Sequence, residues 1–171
     1  MQYDPAFIRH LFDYLIWADC AIFEAGQKIP VAEYYKPREI SAGSIHNVFV
    51  HQMVAQNTWL NRWKGKVMTG RLENQTEHPT RELLAERWPL VHQALLEFVD
   101  EQSAHSLNEP LTVRRNNGEL LTLPLGAMMM HVADHGTYHR GQLATMFKQA
   151  GVEPLYMPYF RFPGAQMEKS S

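Results

Sequence analysis

The chain has 171 residues, 45% hydrophobic and 20% charged, and a formal net charge of −2 with neutral histidines. This is the profile of a soluble globular protein of one domain, residues 1–171, with no basic stripe for nucleic acid. The one cysteine, Cys20, excludes an intrachain disulfide. No apolar run approaches the roughly 20 residues of a membrane span, and MQYDPAFIRH lacks the basic start and apolar run of a signal peptide, so a cytoplasmic location is expected.

Asp4 and Pro5 read as the cap and first position of a helix. Phe7, Ile8, Leu11, Phe12, Leu15, Ile16, Ile22 and Phe23 then recur at helical spacing to about Lys28. Trp17 and Asp19 are read as falling between these core positions, and Cys20 as a packing residue. Residues 30–43, with Pro30, Pro37 and Gly43, read as a surface loop carrying Tyr34, Tyr35 and Lys36. A second helix is expected from about Ser44 to Lys64, capped by Ser41 or Ser44 and ended by Gly65 and Gly70. Ile45, Val48, Ala55, Trp59 and Trp63 lie near one face. His51 shares that stripe, which more often means a core histidine than a ligand. His46 is expected to point elsewhere, toward solvent.

Residues 65–79 form a polar connection, with His78 read as a solvated loop residue. Thr80 caps a third helix to about Gln102 whose inner face is Leu83, Leu84, Val91, Leu95 and Phe98. Pro89 predicts a kink near Ala85 to Trp88. His92 and His105 are expected on the surface. PLTVRR and ELLTLPL flank Asn116-Asn117-Gly118, a hairpin signal. Such a hairpin can project from a helical domain as a contact surface. Pro124 opens a fourth helix that ends at Ala150-Gly151. Gly136 within it suggests close approach by another backbone or a substrate. The tail, residues 152–171, carries Tyr156, Tyr159 and Phe160 and is expected to pack back on a core spanning about 5–151, then fray after Pro163. Four long helices argue an all-α bundle with a short β-hairpin before the last helix.

The fourth helix holds the chemistry. His131, His135 and His139 stand four residues apart, and each step advances about 40° around a helix and about 6 Å along it. Chance at this composition gives about 0.4 four-apart pairs but only about 0.02 such triples. The spacing does not choose which two histidines bind. Two imidazoles one turn apart can share an ion, and a third ligand must come from a facing helix, where His51 is the best donor. An all-histidine site suits zinc, nickel, iron or copper. Such an ion can activate a water or hold a substrate thiolate. Competing schemes lack support. There is no phosphate-binding glycine loop, and Gly136, Thr137 and Tyr138 stand where a zinc protease would carry its glutamate. Arg140 and Gln142 read as structural rather than as supports for a ligand.

Two stretches, HNVFVHQMVAQNTWLNRWKG and HVADHGTYHRGQL, resemble the second and fourth helices of DinB-like proteins, and Tyr14, Trp17 and Ala18 resemble the start of their first. The likeness covers roughly residues 5 to 155. It implies an up-down-down-up four-helix bundle, often dimeric, with a divalent metal held by His51, His135 and His139. It makes His131 a neighbour rather than a ligand. The chain departs from the pattern at Gln56, where many members carry glutamate, and in the tail sequence MPYFRF, where several place an acid. The resemblance implies a thiol S-transferase or mycothiol-dependent isomerase type of activity, with many members of no assigned activity. Three functions follow: a metal-dependent transferase using a low-molecular-weight thiol, with Trp59, Tyr156 and Tyr159 lining the pocket; a metal-dependent hydrolase, for which Gln56 is a poor base; or a non-catalytic, stress-related metal-binding protein. His131, Gln56, Trp59 and Tyr138 are the candidates to surround the metal. No nucleic acid or membrane partner is expected.

Overall fold

The structure, a computed structural model, describes residues 2–39, 42–66, 79–155 and 157–165. Four long helices dominate: α1 (Pro5–Gln27), α3 (Ile45–Trp63), α4 (Arg81–Asp100) and α6 (Leu125–Gln149). Short helices α2 (Val31–Tyr35) and α5 (Ala104–Asn108) lie between them, and strands β1 (Pro110–Arg114) and β2 (Leu120–Pro124) form the expected hairpin. The predicted caps act as expected. Asp4, Ser44 and Thr80 each accept a hydrogen bond from the backbone N–H three residues on. Helix α4 runs on through Pro89, which faces solvent, where water can satisfy the carbonyl that the ring leaves free. Ser41, Gly70, His78 and Tyr156 lie outside the described residues.

Contacts at the helix ends give the topology. A Cβ on Gly26, near the end of α1, would meet Phe49 near the start of α3 and Phe147 near the end of α6, while one on Gly126 would meet Tyr3. Arg81, at the start of α4, donates to the carbonyls of Gly26 (2.6 Å) and Ile29 (2.9 Å), and Arg9 pairs with Asp100 at the other end. Helices α1 and α6 therefore run one way and α3 and α4 the other: up, down, down, up. Around the bundle the neighbours run α1, α4, α3, α6 and back to α1.

Two apolar clusters occupy the two ends of this bundle. One gathers Ile8, Phe12, Leu15, Leu95, Met128 and Val132, with Val113 of the hairpin packed on it. The other gathers Ile22, Phe49, Trp88, Leu143 and Phe147, with Tyr34 of α2 fully buried in it. Tyr34 corrects the reading of residues 30–43 as a plain surface loop. Where the clusters meet, the bundle carries a polar belt of Asp19, His51, Gln56, His92, His135, His139 and Arg140.

Candidate metal centre

Helices α3 and α6 are neighbours, and their facing sides bring His51 against His135 and His139. The Nε2 atoms of His51 and His135 lie 3.2 Å apart, and those of His139 and His135 lie 3.0 Å apart. One ligand atom from each of the three lies within 4.8 Å of the others. Tetrahedral nitrogens at about 2 Å from one ion would stand about 3.3 Å apart, so this donor set fits a divalent metal. No carboxylate or cysteine joins the three among the described residues.

The electrostatics favour neutral rings, the form a metal requires. Burial, followed by the neighbouring His139, His51 and His131, pushes His135 down to about 3. Burial also lowers His139, with Gln142 opposing it. The Nδ1–H of His139 donates to Gln142 Oε1 at 2.8 Å, which leaves Nε2 as the lone-pair nitrogen aimed at His135. Gln142 therefore supports a proposed ligand, where the sequence favours a structural role over that one. The signal was available: position 142 follows 139 by three residues, a facing pair on a helix.

The remaining candidates divide. His131 is exposed, its ring 6.0 Å from that of His135 and 5.3 Å from that of Trp59, and it stays outside the group of three. Tyr138 is 61% exposed with its ring edge-on to His139. Trp59 lines a cavity of about 270 Å³ that His51, His131 and His135 share. Tyr159 does not reach this cavity. It hydrogen-bonds to His10 and packs on Tyr14 and Phe162, because the tail folds against α1. The hairpin also departs from expectation. Its Arg115, Asn116 and Asn117 wall the same cavity rather than projecting away from the bundle. Gly118, at φ +87°, permits the turn, since a side chain there would be strained.

Gln56 belongs to a different cluster. Its amide donates to Asp19 Oδ2 at 2.6 Å, and its carbonyl accepts from the Trp88 indole at 2.7 Å. The other oxygen of Asp19 takes Arg140 Nη1 at 2.7 Å, and Arg140 Nη2 reaches Thr137 at 2.8 Å. His92 Nε2 stands 3.7 Å from Asp19, with Cys20 Sγ 4.0 Å from its other nitrogen. Burial works to lower the His92 pKa, but Asp19 and Cys20 raise it above the usual imidazole value.

Several expectations are corrected here. Asp19 is fully buried, and His92 is buried beside it rather than exposed. His46 is buried against Tyr34 and Tyr35. Cys20 is exposed rather than packed. The signal for both buried groups was in the spacing. Leu15, Asp19 and Ile22 share one stripe, as do Trp88, His92 and Leu95. Gly136 makes room for a side chain, not a backbone or substrate: a Cβ there would lie 2.7 Å from Leu15 and 3.0 Å from Arg140.

The DinB family model matches residues 1–170. The chain belongs to the DinB family. It is similar to Protein DinB of Bacillus subtilis (strain 168), with 26% identity over 151 residues, covering 85% of this chain and 87% of that protein. Its fold resembles the crystal structure of a DinB-like protein from Bacillus cereus ATCC 10987. The TM-score is 0.60 at 17% identity, over 84% of this chain and 95% of the other. At that identity the likeness concerns the fold alone. Among the described residues of this DinB protein, no helix is long and apolar enough to cross a membrane.

Proposed function

We propose that His51, His135 and His139 hold one divalent metal ion, zinc or nickel before iron or copper, and that this DinB protein is a metal-dependent enzyme. Its most fitting activity is transfer of a whole low-molecular-weight thiol, bonded through its sulfur, to a small electrophile that loses a leaving group. The observation that carries this reading is the open side of the three histidines. Two of them line a cavity, and no fourth side chain from histidine, cysteine, aspartate or glutamate joins them among the described residues. A structural ion is closed by a fourth protein ligand, whereas a catalytic one keeps a position free.

The metal would supply Lewis acidity, which keeps a thiol ionised at neutral pH. The chain's own groups supply the rest. Gln142 sets the His139 tautomer, and Trp59 offers an aromatic wall beside the histidines. Hydrolysis fits less well, because no carboxylate lines the cavity among the described residues and Gln56 is committed to Asp19 and Trp88. Membership of the family, whose members are often dimeric, and the single cysteine are the grounds on which we propose a cytoplasmic homodimer.

Elemental analysis of untagged protein, purified without nickel resin, tests the site beside His51→Ala and His139→Ala. One equivalent of metal in the parent, lost in both variants, is expected. The metal-loaded protein should then consume a thiol saturably with an aryl halide, forming the C–S bond as the halide leaves and the thiol proton passes to solvent. A parent that takes up neither zinc nor nickel would overturn the metal reading. Bound metal with no thiol consumption would favour the non-catalytic alternative.

A further inference from the structure

The cavity beside the histidines is walled at its far side by a buried cation. Arg62 is 8% exposed, and no carboxylate pairs with it among the described residues. Its guanidinium is held in place all the same. Nη2 donates to the side-chain carbonyl of Asn116 in the hairpin turn, and the group lies over the Trp59 ring at 5.0 Å. Its Nε has no hydrogen-bond partner among the described residues. One turn earlier, Thr58 also lines the cavity, and its buried hydroxyl has no hydrogen-bond partner among the described residues. Burial and the nearby Arg115 both lower the Arg62 pKa, the direction expected where a cation waits without an anion. Arg115 differs. It is exposed and already bridges to Glu119 at 3.1 Å.

A buried, oriented and unpaired guanidinium in a cavity is built to receive an anion, because its own desolvation is left uncompensated until one arrives. We propose that Arg62, braced by Trp59 and Asn116, anchors a carboxylate of the substrate. The substrate class is then an elongated acidic small molecule whose other end reaches the histidines. This rests on the metal-centred reading above and adds the chemistry of the substrate's far end. Residues 51 and 62 are about 16 Å apart along α3, and helix side chains lean toward the N-terminus, so the guanidinium reaches back toward the histidines. The anchor and the metal position are thus separated by a chain of several carbons.

The test uses ω-mercaptoalkanoates of three to eleven carbons, each against the ω-mercaptoalcohol of equal length, titrated calorimetrically into zinc-loaded protein. At the best length the acid should bind at least tenfold tighter than the alcohol. Arg62→Gln should erase that preference while still binding one zinc, and Arg115→Gln should reduce it less. Equal affinity for acid and alcohol at every length would overturn the anchor, as would a preference that survives in Arg62→Gln. If Arg62→Gln does not fold, Asn116→Ala removes the brace and should reduce the preference at least threefold; an unchanged preference there overturns the proposal too. Alkanedioates titrated into zinc-free protein, followed by tryptophan fluorescence, separate the two readings. Dicarboxylate binding that depends on Arg62, with no binding of any thiol to the zinc form, would support the anchor and sink the thiol reading.

Discussion

Helix α6 carries two polar clusters on successive residues. His139 turns toward His51 and His135, and Arg140, about 100° further round, reaches Asp19. Both clusters lie in the belt between the apolar ends of the bundle, yet their chemistry is opposite. The Asp19 cluster is largely closed by its own side chains: both carboxylate oxygens are filled at 2.6 and 2.7 Å, four helices contribute to it, and His92 Nε2, 3.7 Å from Asp19, is its one buried member atom without a hydrogen-bond partner among the described residues. The histidine cluster presents ring nitrogens to one another across 3.0 to 3.2 Å and opens to a cavity. A closed polar network ties helices together, whereas convergent lone pairs facing a cavity leave something to be bound. One belt thus presents a closed network on one side of α6 and, on the proposed reading, a metal site on the other.

This contrast can be broken by mutation. The largest effect is expected from Asp19→Ala, which leaves Arg140 buried without its counter-ion. Breaking such a pair costs about 3–5 kcal/mol, and urea unfolding of the metal-free protein would show it. A loss under about 1 kcal/mol would mean that the Asp19 cluster is not the brace. Gly136→Ala should cost about 1–3 kcal/mol by pushing on Leu15 and Arg140, seen as a lowered Tm with metal stoichiometry intact. An unchanged Tm would show that the packing there can relax.

Gln142→Ala sharpens the comparison from the other side. It should weaken metal affinity about 10- to 100-fold, read by competition with a chromophoric chelator, and leave metal-free stability close to the parent's. Equal affinity would remove Gln142 from any supporting role.

The smallest expected effect near neutral pH is in the pH dependence, where histidines of the two clusters have opposite signs. His135 is held down to about 3 when folded, so below about pH 6.5 the unfolded chain binds a proton that the folded chain refuses. Metal-free stability should therefore fall as pH drops below 6.5, with a slope of at most about 1.4 kcal/mol per pH unit from this group. His92 is raised, so its contribution is fully present below about 6.5 and is lost as pH rises through its folded value. Stability profiles of His135→Asn and His92→Asn should diverge from the parent in opposite directions, and parallel shifts would contradict the assignment.

What the sequence by itself determined follows from local periodicity. The four helices, three of their caps, the hairpin and the run of His131, His135 and His139 are relations between residues a few positions apart, and a helix turns such relations into a shared face. His51 is the best facing-helix donor on sequence alone, the resemblance singles out His135 and His139 over His131, and the fold brings His51 to those two. Only the tertiary structure decided which polar residues are closed and which are open. Asp19, Gln56, His92 and Arg140 lie 121 positions apart at the extremes, and no local pattern marks them as one network. The hairpin was legible, but its seat over the cavity was not, since that depends on how β1 packs against α3. In sequence Arg62 is one of the residues that carry the second-helix resemblance, and nothing there marks it as buried. It becomes a buried cation, without a carboxylate partner among the described residues, only when the hairpin turn places Asn116 on it and the rest of the bundle excludes water around it.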